Sequence, residues 1–368
     1  LYEWGARTSQ KDIFIEIDYM DSSDVGITPH RTALEKIVSV FANKGYTVHF
    51  DVGDLFDQNS DIAPENFDLG GGNVVPFNSY TPFEYDLSSP NLFAYKMEYT
   101  DITRRPIFHY LLMASSGNED GSISGSGIAE ISGNDLMVTM GGWGLTLDTQ
   151  TATNVTYNYQ ASTIFHELGH NLGLYHGGDE EVNFKPNHLS SMNYLYQLAG
   201  LSTIGNNEGD RYYERFYPGN VSCDITPNTN SHLGSTDDFI IDYSSGSSAD
   251  LNESTILEAQ GLNRNGSLPV DFNCNAINTE SLTSFDTNQD NTISILSDVD
   301  EWSMLNLQFY MQSAGNRFGV PNTNNSKVYN LQSNLQSSPT NIETLPIYIK
   351  EAQPSSAIIA ELKAIKEQ

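Results

Sequence analysis

The sequence predicts an α+β fold, and three observations carry that expectation. A strand-helix-strand unit opens the chain, a helix with an apolar side lies near its middle, and from about Asn220 onward periodicity gives way to Asn, Ser, Thr and Gly. At 368 residues, 38% of them hydrophobic, the chain is long enough for two domains or for one grown around a deep cleft. No apolar run approaches the ~20 residues that span a bilayer.

The elements follow in order. "IFIEIDYM" alternates, which puts Ile13, Ile15, Ile17 and Tyr19 on one face of a strand and Glu16 and Asp18 on the other. Thr28 and Pro29 read as the N-cap and first-turn proline of a helix. Leu34, Ile37, Val38 and Phe41 recur on one of its faces, and Gly45 ends it. "YTVHFDV", from Tyr46 to Val52, is a second strand, and such a unit sets its two strands parallel. Further strands are expected at Ile107–Met113 and in "GIAEISGNDLMVTM", on either side of a turn at Ser132, Gly133, Asn134 and Asp135. Val299–Met311 reads as a later helix, and no internal repeat or glycine-rich nonapeptide array is present.

Charge narrows the partners. With 47 acidic against 17 basic residues and a formal charge of −30, the chain would repel nucleic acid and anionic membranes. The chain begins at Leu1 without a methionine or a leader, which reads as a mature or trimmed form of an exported protein, and a monomer is expected. In that setting Cys223 and Cys274 would pair, closing a loop of about 50 residues worth up to ~4 kcal/mol in the loop-entropy account.

The chemistry concentrates in "STIFHELGHNLGLYHGG". Three of the chain's eight histidines and one glutamate fall within eleven consecutive residues. In a helix His166 and His170 project from one face a turn apart, near enough to share an ion. Glu167 points beside them and can reach a water on that ion as a general base without being a ligand. Gly173 can take the positive φ that ends the helix and brings His176 back. Three imidazoles leave one coordination position open, the mark of a catalytic rather than a structural zinc site. Ile164, Phe165, Leu168 and Leu172 supply the apolar side that anchors the helix. A bare HExxH arises by accident in on the order of one such chain in a hundred, and the added glycine and third histidine lower that about a thousandfold.

"HELGHNLGLYH" resembles the metzincin zinc endopeptidases, matching their HExxHxxGxxH pattern at every specified position. The likeness is specific over Ser162–Tyr196, and "KPNHLSSMNY" is similar to a group of secreted bacterial metzincins. The resemblance implies that Met192 forms the methionine turn beneath the metal and that Tyr194 can steady an oxyanion. It also implies an upper subdomain, residues 1–178, with a twisted mixed sheet and two long helices, and an irregular lower subdomain, residues 179–368. An antiparallel edge strand would hold the peptide, assigned to Gly127, Ile128, Ala129, Glu130 and Ile131. The region after Met192 would line the pocket for the residue following the cut. The cysteine-switch peptide of matrix metalloproteinases and the β-roll of serralysins are both missing from this sequence.

A second motif is weaker. In "FDTNQDNTISILSDVDEW", Asp286, Asn288 and Asp290 take the first, third and fifth places of an EF-hand-like loop, with Thr292 offering a carbonyl, so calcium is a second candidate ion. Asn291 stands where glycine is usual, and Ser297 where the closing glutamate would be. Together these readings describe a secreted zinc endopeptidase acting on protein or peptide. The alternatives are a catalytically weak metzincin-like adhesin or matrix- or carbohydrate-binding protein, and a small-molecule metallohydrolase.

Overall fold

The computed structural model describes residues 1–56, 67–84, 90–205, 208–220, 222–223, 232–308, 311–313, 316–318 and 348–367. Strand β1 (Lys11–Met20) runs through the middle of a mixed seven-stranded sheet. Parallel to it lie β2 (Tyr46–Asp51) on one side and β4 (Phe108–Met113) on the other, with β3 (Val74–Val75) pairing the end of β1. Beyond β4 come β6 (Asp135–Val138), parallel, then β5 (Gly127–Glu130), antiparallel to β6. The last strand, β13 (Tyr348–Lys350), is antiparallel to β5. This is a mixed sheet with helices packed on it, as the alternation predicts.

Helix α1 (Arg31–Asn43) buries Leu34, Ile37 and Phe41 as expected, with Val38 partly buried, and Gly45 takes φ +80°. Its start is a correction: His30, not Thr28, is the N-cap. Thr28 precedes a proline and stays extended. The Gln160 side chain then holds this stretch straight, accepting from His30 N–H at 3.1 Å and donating to Thr28 O at 2.7 Å.

Helix α3 (Gln150–Asn171) has 22 residues, about 33 Å, and crosses the sheet over β5 and β6. It is buried around nearly its whole circumference from Asn158 onward, rather than on one apolar side. That is sustainable because its polar side chains meet backbone carbonyls: Asn158 donates to His232 O and Gly234 O, and Asn171 to Glu130 O and Asp135 O.

The other face of β1 is also covered, although Glu16 and Asp18 lie on it. Both are fully buried. Arg104 bonds Glu16, Asp51 and Leu69 O, while Asp18 accepts from Tyr110 Oη at 2.9 Å and Asn73 N–H at 2.7 Å. Helix α2 (Leu92–Tyr99) adds a buried Lys96 paired with Asp135.

Past residue 178 the regular elements are short: α4 (Asp210–Phe216), the two-residue pairs β7 (Leu251–Asn252) with β10 (Ile295–Leu296) and β8 (Ile256–Leu257) with β9 (Ser281–Leu282), and the pair β11 (Met311–Ser313) with β12 (Asn316–Phe318). A second apolar core, with Leu195, Tyr196, Tyr212 and Phe272, contains the Cys223–Cys274 disulfide. Of the helix expected over Val299–Met311, α5 (Glu301–Met304) is the part that forms among the described residues. Leu305 turns extended, and Asn306 N–H pairs with Leu172 O instead of continuing the ladder. The two parts share one core, since Met192, Phe239, Tyr243 and Trp302 pack with the sheet residues. The chain also returns to the upper sheet through β13 and α6 (Ser356–Lys366), whose Leu362 and Ile365 are buried in that core.

Candidate metal centre

The last two turns of α3 carry His166 and His170, with ring centroids 4.8 Å apart. The helix then stops. Gly173 takes φ +98°, and Leu174 N–H bonds Gly169 O at 2.9 Å, which turns the chain and brings the His176 ring within 5.4 Å of His166 and 5.1 Å of His170. Nδ1 of His166 faces Ser191 O at 2.7 Å and Nδ1 of His170 faces Leu174 O at 2.8 Å. A carbonyl only accepts, so each Nδ1 donates and each neutral ring turns a bare Nε2 lone pair inward.

A carboxylate stands where those lone pairs meet. Glu351 Oε1 lies 3.2, 3.3 and 3.5 Å from Nε2 of His166, His170 and His176. The four residues are all buried, with ligand atoms within 4.8 Å of one another. Ligands about 2.0–2.1 Å from a tetrahedral zinc are separated from each other by roughly 3.3 Å, close to the separations of Glu351 Oε1 from the three nitrogens. Lone pairs facing a carboxylate repel unless a cation stands between them, so these residues fit a bound divalent metal.

Glu167 is buried beside this group, and neither of its oxygens has a hydrogen-bond partner among the described residues. Burial first, and then the charge of Glu351, pushes its carboxyl well above the ordinary range. Its place depends on Gly127, where a Cβ would fall 2.3 Å from Glu167 Oε1.

Met192 is fully buried under α3, and a Cβ at Gly169 would come within 2.4 Å of its sulfur, so helix and methionine turn are in close contact. The Tyr194 ring sits 4.4 Å from that of His176. Burial first, and then Glu351, raises the pKa of this phenol. Beside His176, across Glu181, opens a cavity of about 550 Å³ lined by Asn183, Phe184, Arg215 and Phe216.

The assigned substrate strand is β5, but Ile131 lies outside it, in the following turn. Glu130 stabilises that turn, its Oε2 accepting from Asn134 N–H and Asp135 N–H. In the EF-hand-like loop the oxygens face their own backbone: Asp286 accepts from Asp290 N–H and Asn291 N–H, Asn288 Oδ1 from Asp290 N–H, and Asp290 from the N–H and hydroxyl of Thr292. Asn291 does adopt the positive φ, +69°, of the missing glycine.

A buried ion pair ties the methionine turn to α5. His188 Nδ1 lies 2.8 Å from Asp298 and its Nε2 3.2 Å from Glu301. Burial would lower the pKa of His188, but Glu301 and Asp298 prevail and raise it above the ordinary 6.5, while Asp298 is held below 3.8. The raised histidine stabilises the fold fully below pH 6.5 and loses that contribution as pH rises through its folded-state pKa. The depressed Asp298 loses its own as pH falls below 3.8. His188→Gln should therefore cost about 3–5 kcal/mol near pH 6 and progressively less as pH rises, read from urea unfolding midpoints.

No family model, curated protein or solved structure matches this chain. The site rests on its own geometry. The structure brings together His166, Glu167, His170, His176, Met192 and Tyr194; the disulfide lies in the second apolar core, and Asn288 and Asp290 of the EF-hand-like loop line the cavity beside His176 without joining the ligand group. Sequence reasoning missed Glu351, which lies 175 residues from His176. The short β run "IYIK" just before it was the one available signal, and it says nothing about a metal.

Proposed function

We propose that this chain is a secreted zinc-dependent endopeptidase of the metzincin type. The observation that carries the reading is a partnerless buried Glu167 set against three inward-facing imidazoles, beside a strand suited to hold a peptide. His166, His170 and His176 would hold the zinc, which would supply Lewis-acid chemistry, acidifying water and polarising a carbonyl. β5, whose outer edge β13 occupies in the structure, would bind the substrate main chain by strand addition once that edge is free, and the cavity beside Phe184 would receive a side chain. Glu167, held protonatable by burial, would take a proton from the attacking water and return it to the leaving amine. The Tyr194 hydroxyl would donate to the oxygen on which negative charge develops. The disulfide supports an extracellular setting. Calcium on Asp286, Asn288, Asp290 and Thr292 is a lesser part of the reading, supported by the spacing of the oxygen ligands.

One observation favours a second reading. A fourth protein ligand closes the coordination sphere, as in structural zinc sites, which would suit an adhesin or binding protein. Glu167 argues against it. A structural site has no use for a buried carboxyl without partners, nor for the glycine that makes room for it. The purified chain should hold one zinc per molecule and lose hydrolysis of a quenched-fluorescent peptide on chelation. Full metal loading with no chelator-sensitive hydrolysis, by the native chain and by Glu351→Ala alike, would favour the binding protein.

A further inference from the structure

The C-terminal segment lies where a peptide substrate would. β13 adds to the outer edge of β5, with Tyr348, Ile349 and Lys350 opposite Glu130, Ala129 and Ile128, and Glu351 N–H continues the ladder to Gly127 O at 3.0 Å. The next side chain along this added strand is the one that enters the histidine ring. Both flanks are fastened. Lys350 Nζ donates to Gly117 O at 2.8 Å, and the Tyr348 ring packs 5.3 Å from Phe83. Downstream, Ser355 caps α6, Leu362 and Ile365 enter the main core, and Glu361 pairs with His232 at 3.0 Å.

We propose that residues 348–366 form a built-in inhibitor: β13 occupies the peptide-binding edge as a pseudo-substrate, and Glu351 takes the fourth coordination position of the metal. The inference rests on the peptidase reading. A strand that only completed the sheet would have no reason to bury a carboxylate at its end, because burial of an unpaired charge is strongly unfavourable. Here the carboxylate sits at similar distances from three imidazole nitrogens, two of which, on His166 and His170, have their ring proton on the opposite nitrogen, which a shared cation explains. Tyr194, placed to donate to a substrate oxygen, lies against the same histidine group, its ring 4.4 Å from that of His176. A tethered ligand acts at an effective concentration on the order of millimolar, so a free peptide competes poorly until the segment is displaced. Lys350 Nζ also meets the Asn118 Oδ1 at 3.3 Å, a second contact that holds the residue just before Glu351.

The full chain loaded with cobalt(II) provides the test. Its visible spectrum is recorded for native protein, Glu351→Ala and Glu351→Gln, each titrated with acetohydroxamic acid, with thermal unfolding confirming that all three are folded. Glu351→Gln preserves side-chain size should the alanine variant fail to fold. We expect the spectrum to change on substitution and the hydroxamate to bind the variants at least ~10-fold more tightly. Peptide hydrolysis by the zinc forms should rise by a similar factor. Identical spectra and identical hydroxamate affinity would overturn the inhibitor. If hydrolysis by the native chain were also unchanged, the peptidase reading would survive without it. Failure of every form to bind metal would overturn both.

Discussion

Replacing Glu167 with alanine is expected to lower kcat by about a hundredfold to ten-thousandfold while leaving metal content unchanged. The comparison is best made in a Glu351→Ala background, so that the cleft is open in both proteins. Glu167 is not in the converging ligand group, and among the described residues neither of its oxygens has a hydrogen-bond partner. Its removal therefore takes nothing from the metal and breaks no bond in the fold. A carboxyl buried without partners is a cost to stability, so the variant should melt at the same temperature or higher. Equal kcat for the two proteins would show that some other group moves the proton. Loss of zinc together with activity would show instead that Glu167 supports the ligands.

The second large effect is on stability. Arg104→Met should cost about 3–5 kcal/mol, because it leaves two buried carboxylates, Glu16 and Asp51, without their shared cation. The direction with pH follows from Glu16. Burial, only partly offset by Arg104, raises its carboxyl above the ordinary 4.5. A raised acid stabilises the fold fully below pH 4.5 and loses that contribution as pH rises through the folded-state pKa. Without Arg104 the folded-state pKa climbs further. The deficit of the variant should then widen from pH 5 to pH 8, as measured by urea unfolding across that range. A deficit under 1 kcal/mol and flat with pH would mean that the cluster relaxes or admits water.

Several features were legible in the sequence because they are local. Alternation in "IFIEIDYM" and "YTVHFDV", helical spacing from Leu34 to Phe41, and the step from His166 through Gly173 to His176 depend only on nearby residues, and each reappears in space. The misreadings have long-range causes. Thr28 failed as a cap because Gln160, 132 residues away, holds its carbonyl. The helix after Val299 stopped early because Leu172 takes the Asn306 N–H. Alternation placed Glu16 and Asp18 on the second face of β1, but not that Arg104, Tyr110 and Asn73 would bury them. Glu351 is the extreme instance, since its role comes from the register of β13 on β5, and no spacing rule links residue 351 to residue 166.

On the proposed reading, a metal held by His166, His170 and His176 serves the hydrolysis of peptide bonds. The most direct test of that reading is digestion of an unfolded protein by the native and Glu351→Ala chains, with the cuts mapped by mass spectrometry, before chelation, after it, and after zinc is restored. Cuts that vanish on chelation, return with zinc, and are more frequent for Glu351→Ala are expected. No cuts from either protein, with one zinc bound per chain, would contradict the reading.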